Sequence, residues 1–464
     1  MLAPKAPAGY APASPATAMP GDVFLRAGHE AEVAFQQPPS SRVVRPHRVR
    51  HAVLIGLGLG AIAGLTVAVT DPSAAASAAG LVEPVGKLWL NALQMTVVPL
   101  VFALVVIGVT AASDAAASGR TARRAIIVMI VLLSAGALLT IMLTPFLLSL
   151  VPRDEAVVAA LQAGSTVATT PPRIQEFVLG FIPSNAIAAA AQNAMLPLVV
   201  FALFFGFGLT RLEPARRERL VELFQAIADT MIVIVRWVLW AAPLGVFALV
   251  FVVCVSAGVS ILSALGIYIL LQCSTYLLVT IALYGVAVIY GRERLVRFAA
   301  AILPAQIVAA STQSSLASLP AMVESAQTRL SYPQSTVALV LPMAVSLFRI
   351  TSPVQYMNAA IFIAWAYGVD LSAAQLLGGA ALAVIISLSS VGLPGQVSFM
   401  ATIMPVTQAM GLPVQPLGLL LAVDTIPDVF ATVGNVTADL TATSIVARQS
   451  RNDVRPSPLP ARDS

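Results

Sequence analysis

The chain has 464 residues, of which 58% are hydrophobic and 10% are charged, and its mean hydropathy is +0.89. Soluble globular domains carry about 25% charged residues, so this composition excludes an ordinary soluble protein and indicates a polytopic membrane protein surrounded by a lipid bilayer. The formal net charge is +5, but the arginines form short clusters between apolar segments, which is typical of topology signals. We therefore expect no nucleic-acid partner.

The apolar segments contain few residues suited to catalysis or metal binding. His29, His47 and His51 all lie before or at the start of the first apolar segment, and Cys254 and Cys273 lie inside apolar runs. The serine-rich stretch near residue 314 has no histidine or lysine beside it to act as a base. The sequence therefore predicts neither an enzyme nor a disulfide framework.

The first part of the chain alternates between apolar spans and basic loops. Residues 1–48 are rich in Ala, Pro and Ser and are predicted to be a disordered cytoplasmic tail. Predicted spans follow at residues 52–70, 84–112, 125–151, 174–210, 225–253 and 261–290. Each predicted cytoplasmic loop carries at least three arginines, so the positive-inside rule predicts a multi-pass protein of the plasma (inner) membrane with both termini cytoplasmic. A second disordered tail is predicted at residues 448–464.

Beyond residue 298, polar and proline-containing interruptions break the apolar segments in two corresponding pairs. "STQSSLASLP" (311–320) precedes the broken helix "LPMAVSLFRITSPVQYMN" (341–358), and "SLSSVGLPGQ" (387–396) precedes "VDTIPDVFATVGNVTADL" (423–440). Irregular backbone within a membrane is tolerated only where protein or a water-filled cavity covers it. Matching breaks in two halves indicate a secondary transporter built on inverted repeats, with its binding site at the breaks.

The last of these segments carries a polar stripe. Helical periodicity places its residues on nearly one face, because they are separated by whole or nearly whole turns; they are Asp424, Asp428, Thr432, Asn435 and Asp439. Buried hydrogen bonds between helices are one explanation for such a stripe. Its cost in a membrane favours the other explanation, which is that it faces a substrate cavity.

These motifs resemble the dicarboxylate/amino acid:cation symporter family, which has the glutamate-transporter fold. "DVFATVGNVTADLTATSIVAR" is similar to the family's last transmembrane helix, and "STQSSLASLP" and "VGLPG" are similar to the tips of its two re-entrant hairpins. The resemblance implies an all-α protein with eight transmembrane helices, two re-entrant helical hairpins and inverted repeats, assembled as a homotrimer. Residues 52–297 would hold helices 1–6, the scaffold and part of the transport domain. Residues 298–447 would hold the transport core of hairpin 1, helix 7, hairpin 2 and helix 8.

The resemblance also implies roles for single residues. Asp428 would bind the amino group of the substrate with help from Thr432, and Asn435 would bind its α-carboxylate. The backbone of Ser314 and Ser315 would cradle that carboxylate, and the second hairpin would form the extracellular gate. The complete set of predicted substrate-binding residues is Ser314, Ser315, Ser352, Val391, Gly392, Asp428, Thr432 and Asn435.

This sequence departs from the family pattern at its charged positions. An arginine expected three residues after Asp428 is replaced by Ala431, and one sometimes found in the first hairpin is replaced by Gln313. Residues 348–352 read "FRITS" where the family has Asn-Met-Asp-Gly-Thr, so two oxygen ligands of sodium are lost. Asp439, the family's carboxylate at another sodium site, is retained and is the predicted sodium ligand together with Asn435.

Three hypotheses follow. The leading one is an elevator-type symporter for a neutral amino acid, in which Arg349 acts as a tethered cation beside Asp439 and sodium coupling is altered or absent. The alternative is a symporter of an acidic amino acid or dicarboxylate with a proton or sodium, in which Arg349 reads the substrate carboxylate. A third, of another class, is a transport-inactive substrate sensor or an anion channel. No cofactor is expected apart from sodium or a proton as coupling ion.

Overall fold

The structure is a computed structural model that describes residues 46–117, 119–151, 182–258, 260–389 and 395–454. The chain divides into residues 1–49 and residues 50–464, and the following account concerns the second unit. Helices make up most of the described residues, and no strand occurs among them. The predicted all-α class is confirmed.

The helices follow one another with short connections. In the first part they are α1 (Pro46–Thr70), α2 (Pro72–Gln94), α3 (Val97–Ala117), α4 (Arg120–Ser149), α5 (Ala186–Ala191), α6 (Met195–Leu209), α7 (Pro214–Trp240), α8 (Ala242–Ala257) and α9 (Ser260–Ile289). In the second part they are α10 (Leu295–Thr312), α11 (Leu319–Glu324), a π-helical turn (Ser325–Arg329), α12 (Gln334–Leu347), α13 (Thr351–Tyr367), α14 (Ala373–Ser389), α15 (Gly395–Ala409), α16 (Leu417–Val423) and α17 (Pro427–Val454).

Seven segments of the described residues are long and apolar enough to cross a membrane, and four shorter apolar helices accompany them. The protein is therefore a multi-pass membrane protein, as its composition predicts. The count of eight transmembrane helices and the re-entrant course of the hairpins remain predictions from the resemblance.

Helix α17 forms the centre of the second part, with α4, α9, α10 and α12 packed around it. The close approach depends on Gly434, because a Cβ atom there would lie 2.8 Å from Thr351 Cγ2 and 3.1 Å from Thr280 Oγ1. These two threonines belong to α13 and α9. A side chain at position 434 would therefore separate three helices that meet beside the predicted site.

The breaks predicted from the sequence occur where helices end. The first lies between α10 and α11, the second at residues 348–350 between α12 and α13, and the last at residues 424–426 between α16 and α17. Pro353 is the third residue of α13, where the missing N–H would have no partner within the helix in any case. The break therefore precedes Pro353, and helix α13 continues through it.

Candidate substrate and cation site

The tip of the first predicted hairpin meets the break before α17. Gln313 ends α10 in a left-handed conformation with φ of 50°, and its Nε2 donates a hydrogen bond of 3.3 Å to the backbone oxygen of Thr425. The residue that replaces the hairpin arginine of the family thus joins two breaks that are 112 positions apart in sequence.

Ser314 and Ser315 lie in this tip but use their side chains differently. Ser314 Oγ accepts a hydrogen bond of 3.2 Å from the backbone N–H of Ala317, so this hydroxyl takes part in the local turn. Ser315 is buried, and no described residue makes a hydrogen bond with its Oγ. An unsatisfied buried hydroxyl is costly, which makes Ser315 the serine of the tip with polar capacity left for a ligand.

Two aspartates lie one turn apart at the start of α17. Asp424 is 6% exposed and its Oδ1 accepts a hydrogen bond of 2.6 Å from Gln355 Nε2 on α13. Asp428 is half-buried in the first turn of α17, where the positive end of the helix dipole stabilises a carboxylate. Thr432 donates to the backbone oxygen of Asp428 at 2.8 Å, so its hydroxyl keeps only acceptor capacity. The ammonium side of the predicted site is therefore assembled as expected, with Gln355 as an unpredicted member.

Asn435 is held by the first residue of α13. Its Oδ1 accepts hydrogen bonds from the backbone N–H of Thr351 at 3.1 Å and from the Thr351 hydroxyl at 3.0 Å. Both residues are buried. This contact joins α17 to the broken helix and brings the predicted carboxylate-binding amide next to the altered "FRITS" segment.

Arg349 and Asp439 form the charged part of the site. Arg349 is half-buried in the break before α13, and its backbone oxygen accepts a hydrogen bond of 3.2 Å from Ser387 Oγ on α14. Asp439 is 0% exposed, and no described residue makes a hydrogen bond with either of its carboxylate oxygens. Arg349 acts on this carboxylate electrostatically. The structure therefore brings the two residues of the predicted tethered-cation pair into one electrostatic environment.

The remaining predicted residues are placed less centrally or lie outside the description. Ser352 is half-buried, and its backbone N–H donates to the oxygen of Arg349 at 3.0 Å. Val391 and Gly392 lie outside the described residues. Among the residues that the structure describes, no group of three or more His, Cys, Asp or Glu side chains is placed to hold a metal ion.

A second buried polar network lies deeper in the helices around α13. Asn358 accepts a hydrogen bond of 2.6 Å from Thr144 Oγ1 on α4 and donates one of 2.8 Å to Gln272 Oε1 on α9. All three side chains are fully buried. The sequence interpretation missed them, although each is a polar residue within an apolar segment, which is the signal that could have found it.

Comparisons with known proteins agree with this arrangement. The sequence model of the sodium:dicarboxylate symporter family matches residues 50–449. The chain is 30% identical over 377 residues to the "Proton/glutamate-aspartate symporter" of Escherichia coli (strain K12), covering 79% of this chain and 85% of that protein. It is 26% identical to the "Proton/sodium-glutamate symport protein" of Bacillus caldotenax (85% of this chain, 93% of that protein). It is 28% identical to the "C4-dicarboxylate transport protein 1" of Pseudomonas aeruginosa PAO1 (87% and 88%). The resemblance is confirmed: the chain belongs to the sodium:dicarboxylate symporter family.

Proposed function

We propose that this protein is a cation-coupled symporter of an acidic amino acid and that Arg349 binds the second carboxylate of the substrate. One observation carries the proposal: Arg349 is the only basic residue between Leu330 and Ala447, and it lies in the break where α13 meets α17. The relatives named for glutamate, aspartate and C4-dicarboxylates support an acidic substrate. The neutral substrate of our leading hypothesis lacks such support.

The order of polar groups along α17 fits a substrate with one ammonium and two carboxylates. Asp428 is suited to the ammonium, and Asn435 lies two turns further along, where its amide is suited to the α-carboxylate. Asp439 follows about 6 Å beyond Asn435 along the helix axis at 1.5 Å per residue, and Arg349 acts on it. A distal carboxylate on a substrate lying along α17 would therefore reach the region of Arg349.

The break before α13 attracts anions for a second reason. A helix N-terminus carries a partial positive charge, and Arg349 stands two residues before the first residue of α13. The guanidinium and the helix dipole have the same sign there, so an anion is favoured. A guanidinium has five N–H donors, which allows Arg349 to act on Asp439 and to bind a substrate carboxylate as well.

The charges of the site support coupling to a cation. Asp424, Asp428 and Asp439 with Arg349 give three negative charges and one positive charge, or a sum of −2. An acidic amino acid adds −1. Carrying this excess of buried negative charge across a membrane is unfavourable, and a co-transported proton or sodium ion reduces it.

The proposal includes the larger organisation implied by the resemblance. Residues 52–297 would form the scaffold with part of the transport domain, and residues 298–447 the moving transport core. A homotrimer is supported by α7, because only 17% of its most apolar window is buried within one chain. Inner-membrane insertion with cytoplasmic termini is supported by the arginine clusters of the predicted cytoplasmic loops.

Uptake into proteoliposomes tests the proposal. We expect radiolabelled L-aspartate to accumulate under an imposed pH or sodium gradient and not without one. Unlabelled L-glutamate should compete, whereas L-alanine and L-serine should not, because they leave Arg349 without a carboxylate. Succinate should compete weakly, because it lacks the ammonium for Asp428. Competition by alanine equal to that by aspartate would restore the neutral-substrate hypothesis, and binding without uptake under either gradient would favour a sensor.

A further inference from the structure

Thr351 fixes the orientation of the Asn435 amide. Two donors of Thr351, its backbone N–H and its hydroxyl, lie 3.1 and 3.0 Å from Asn435 Oδ1. A backbone N–H is only a donor, so the atom that faces it must be the amide oxygen and not the amide nitrogen. A carbonyl oxygen has two lone pairs. Both are therefore used, and this oxygen has none left for a cation.

The other end of the same amide is left for a ligand. Within the described part of the chain, no residue accepts a hydrogen bond from Asn435 Nδ2. A buried N–H without an acceptor is costly, whereas a carboxylate is a strong acceptor for it. Asn435 thus presents donors to the substrate cavity, which suits an anion.

The position of the Thr351 side chain is set by packing. Its Cγ2 atom lies where Gly434 permits close contact, at 2.8 Å from the site of a Cβ atom on that residue. Its neighbours Phe348 and Ile350 are 1% and 2% exposed and offer no side-chain oxygen. Hard cations prefer several oxygen ligands, so this side of Asn435 is built against sodium.

We propose that Thr351 is a positioning residue that presents the Asn435 amide nitrogen to the substrate carboxylate and withholds the amide oxygen from sodium. The inference rests on the proposed symport of an acidic amino acid and adds the residue that orients the carboxylate site. The family signature has glycine at this position, which keeps the backbone N–H but lacks the hydroxyl. Thr351 therefore contributes a bond that the signature does not provide.

Two matched substitutions test this role. Thr351→Val keeps the shape and the methyl packing but removes the hydroxyl, and Thr351→Ser keeps the hydroxyl. In proteoliposomes we expect Thr351→Val to raise the KM for L-aspartate about 2- to 10-fold, the range for one hydrogen bond, with an unchanged Vmax. Thr351→Ser should stay within about 2-fold of the wild-type KM. Adding sodium at a fixed pH gradient should change the wild-type KM by less than about 2-fold, because the Asn435 oxygen is occupied.

The outcomes separate this inference from the proposed function. A wild-type protein that transports L-aspartate, with equal KM values for the Val and Ser variants, overturns the inference alone, and so does a wild-type KM that falls when sodium is added. Should Thr351→Val not fold, Thr351→Ala gives the same comparison, since it also lacks the hydroxyl. Calorimetric binding of L-aspartate to the purified proteins replaces uptake if transport is absent. A wild-type protein that neither binds nor transports L-aspartate overturns the proposed function and the inference with it.

Discussion

Replacing Arg349 by methionine should destabilise the protein because it leaves the Asp439 carboxylate without its cation. Asp439 is 0% exposed, and no described residue donates a hydrogen bond to it. Removing one partner of a buried ion pair costs about 3–5 kcal/mol. The distance of Arg349 from direct hydrogen bonding with this carboxylate makes the lower end of that range the expectation. Arg349→Met should therefore lower the free energy of unfolding by about 3 kcal/mol.

A double-mutant cycle measures this coupling. Chemical unfolding in mixed micelles would be recorded for Arg349→Met, Asp439→Asn and the double variant. Because the double variant has neither charge, it should regain at least about 1.5 kcal/mol relative to the sum of the single losses. Lys87→Met is the control: the exposed ion pair of Lys87 with Glu83 has an N–O distance of 2.5 Å, and its loss should cost less than about 1 kcal/mol. Losses that add within about 0.5 kcal/mol would refute the coupling.

Four further outcomes follow from the same structure. Arg349→Lys should keep most of the stability but raise the KM for L-aspartate about 10-fold in proteoliposome uptake, since an ammonium cannot bind a carboxylate with the guanidinium's fork. Gly434→Ala should lower the unfolding free energy by about 1–3 kcal/mol because its Cβ atom meets Thr351 and Thr280, whereas Gly285→Ala on α9, with nothing within 4 Å of the added atom, should not. Asn358→Leu should cost about 2–4 kcal/mol in the same unfolding assay, because it strands Thr144 and Gln272. Asp428→Asn should raise the KM for L-aspartate at least about 10-fold while improving competition by succinate, because the carboxylate that attracts the ammonium and repels a dicarboxylate is lost.

The sequence was sufficient for the helical class, the breaks and the polar stripe because these depend on local signals. A proline and small polar residues within an apolar run mark a break wherever the run packs. The spacing of Asp428, Thr432 and Asn435 defines one helix face without knowledge of its neighbours. The structure places these residues together on α17, as this spacing predicts.

The hydrogen-bond partners across the breaks could not be predicted in the same way. Thr351 is 84 positions from Asn435, and Gln355 is 69 positions from Asp424. Each pair depends on how far α13 is shifted and rotated against α17, which local patterns do not encode. The Asn358 network was missed for another reason: in a membrane both the lipid-facing and the buried sides of a helix are apolar, so periodicity does not show which polar residue faces a neighbouring helix.

The two breaks beside the site have opposite charges, and this difference is the basis for substrate selection. The break before α13 carries Arg349, and the break before α17 is flanked by Asp424 and Asp428. A substrate must place its ammonium at the second and a carboxylate at the first to satisfy both. Aspartate meets this requirement, succinate leaves Asp428 facing a second anion, and alanine leaves Arg349 unused. The family's arginine position on α17 is filled by Ala431, which is 8% exposed, so no cation competes with Arg349 from that helix. Selectivity for an acidic amino acid over both a dicarboxylate and a neutral amino acid therefore depends on the two breaks staying in contact, which is what the bond between Thr351 and Asn435 provides.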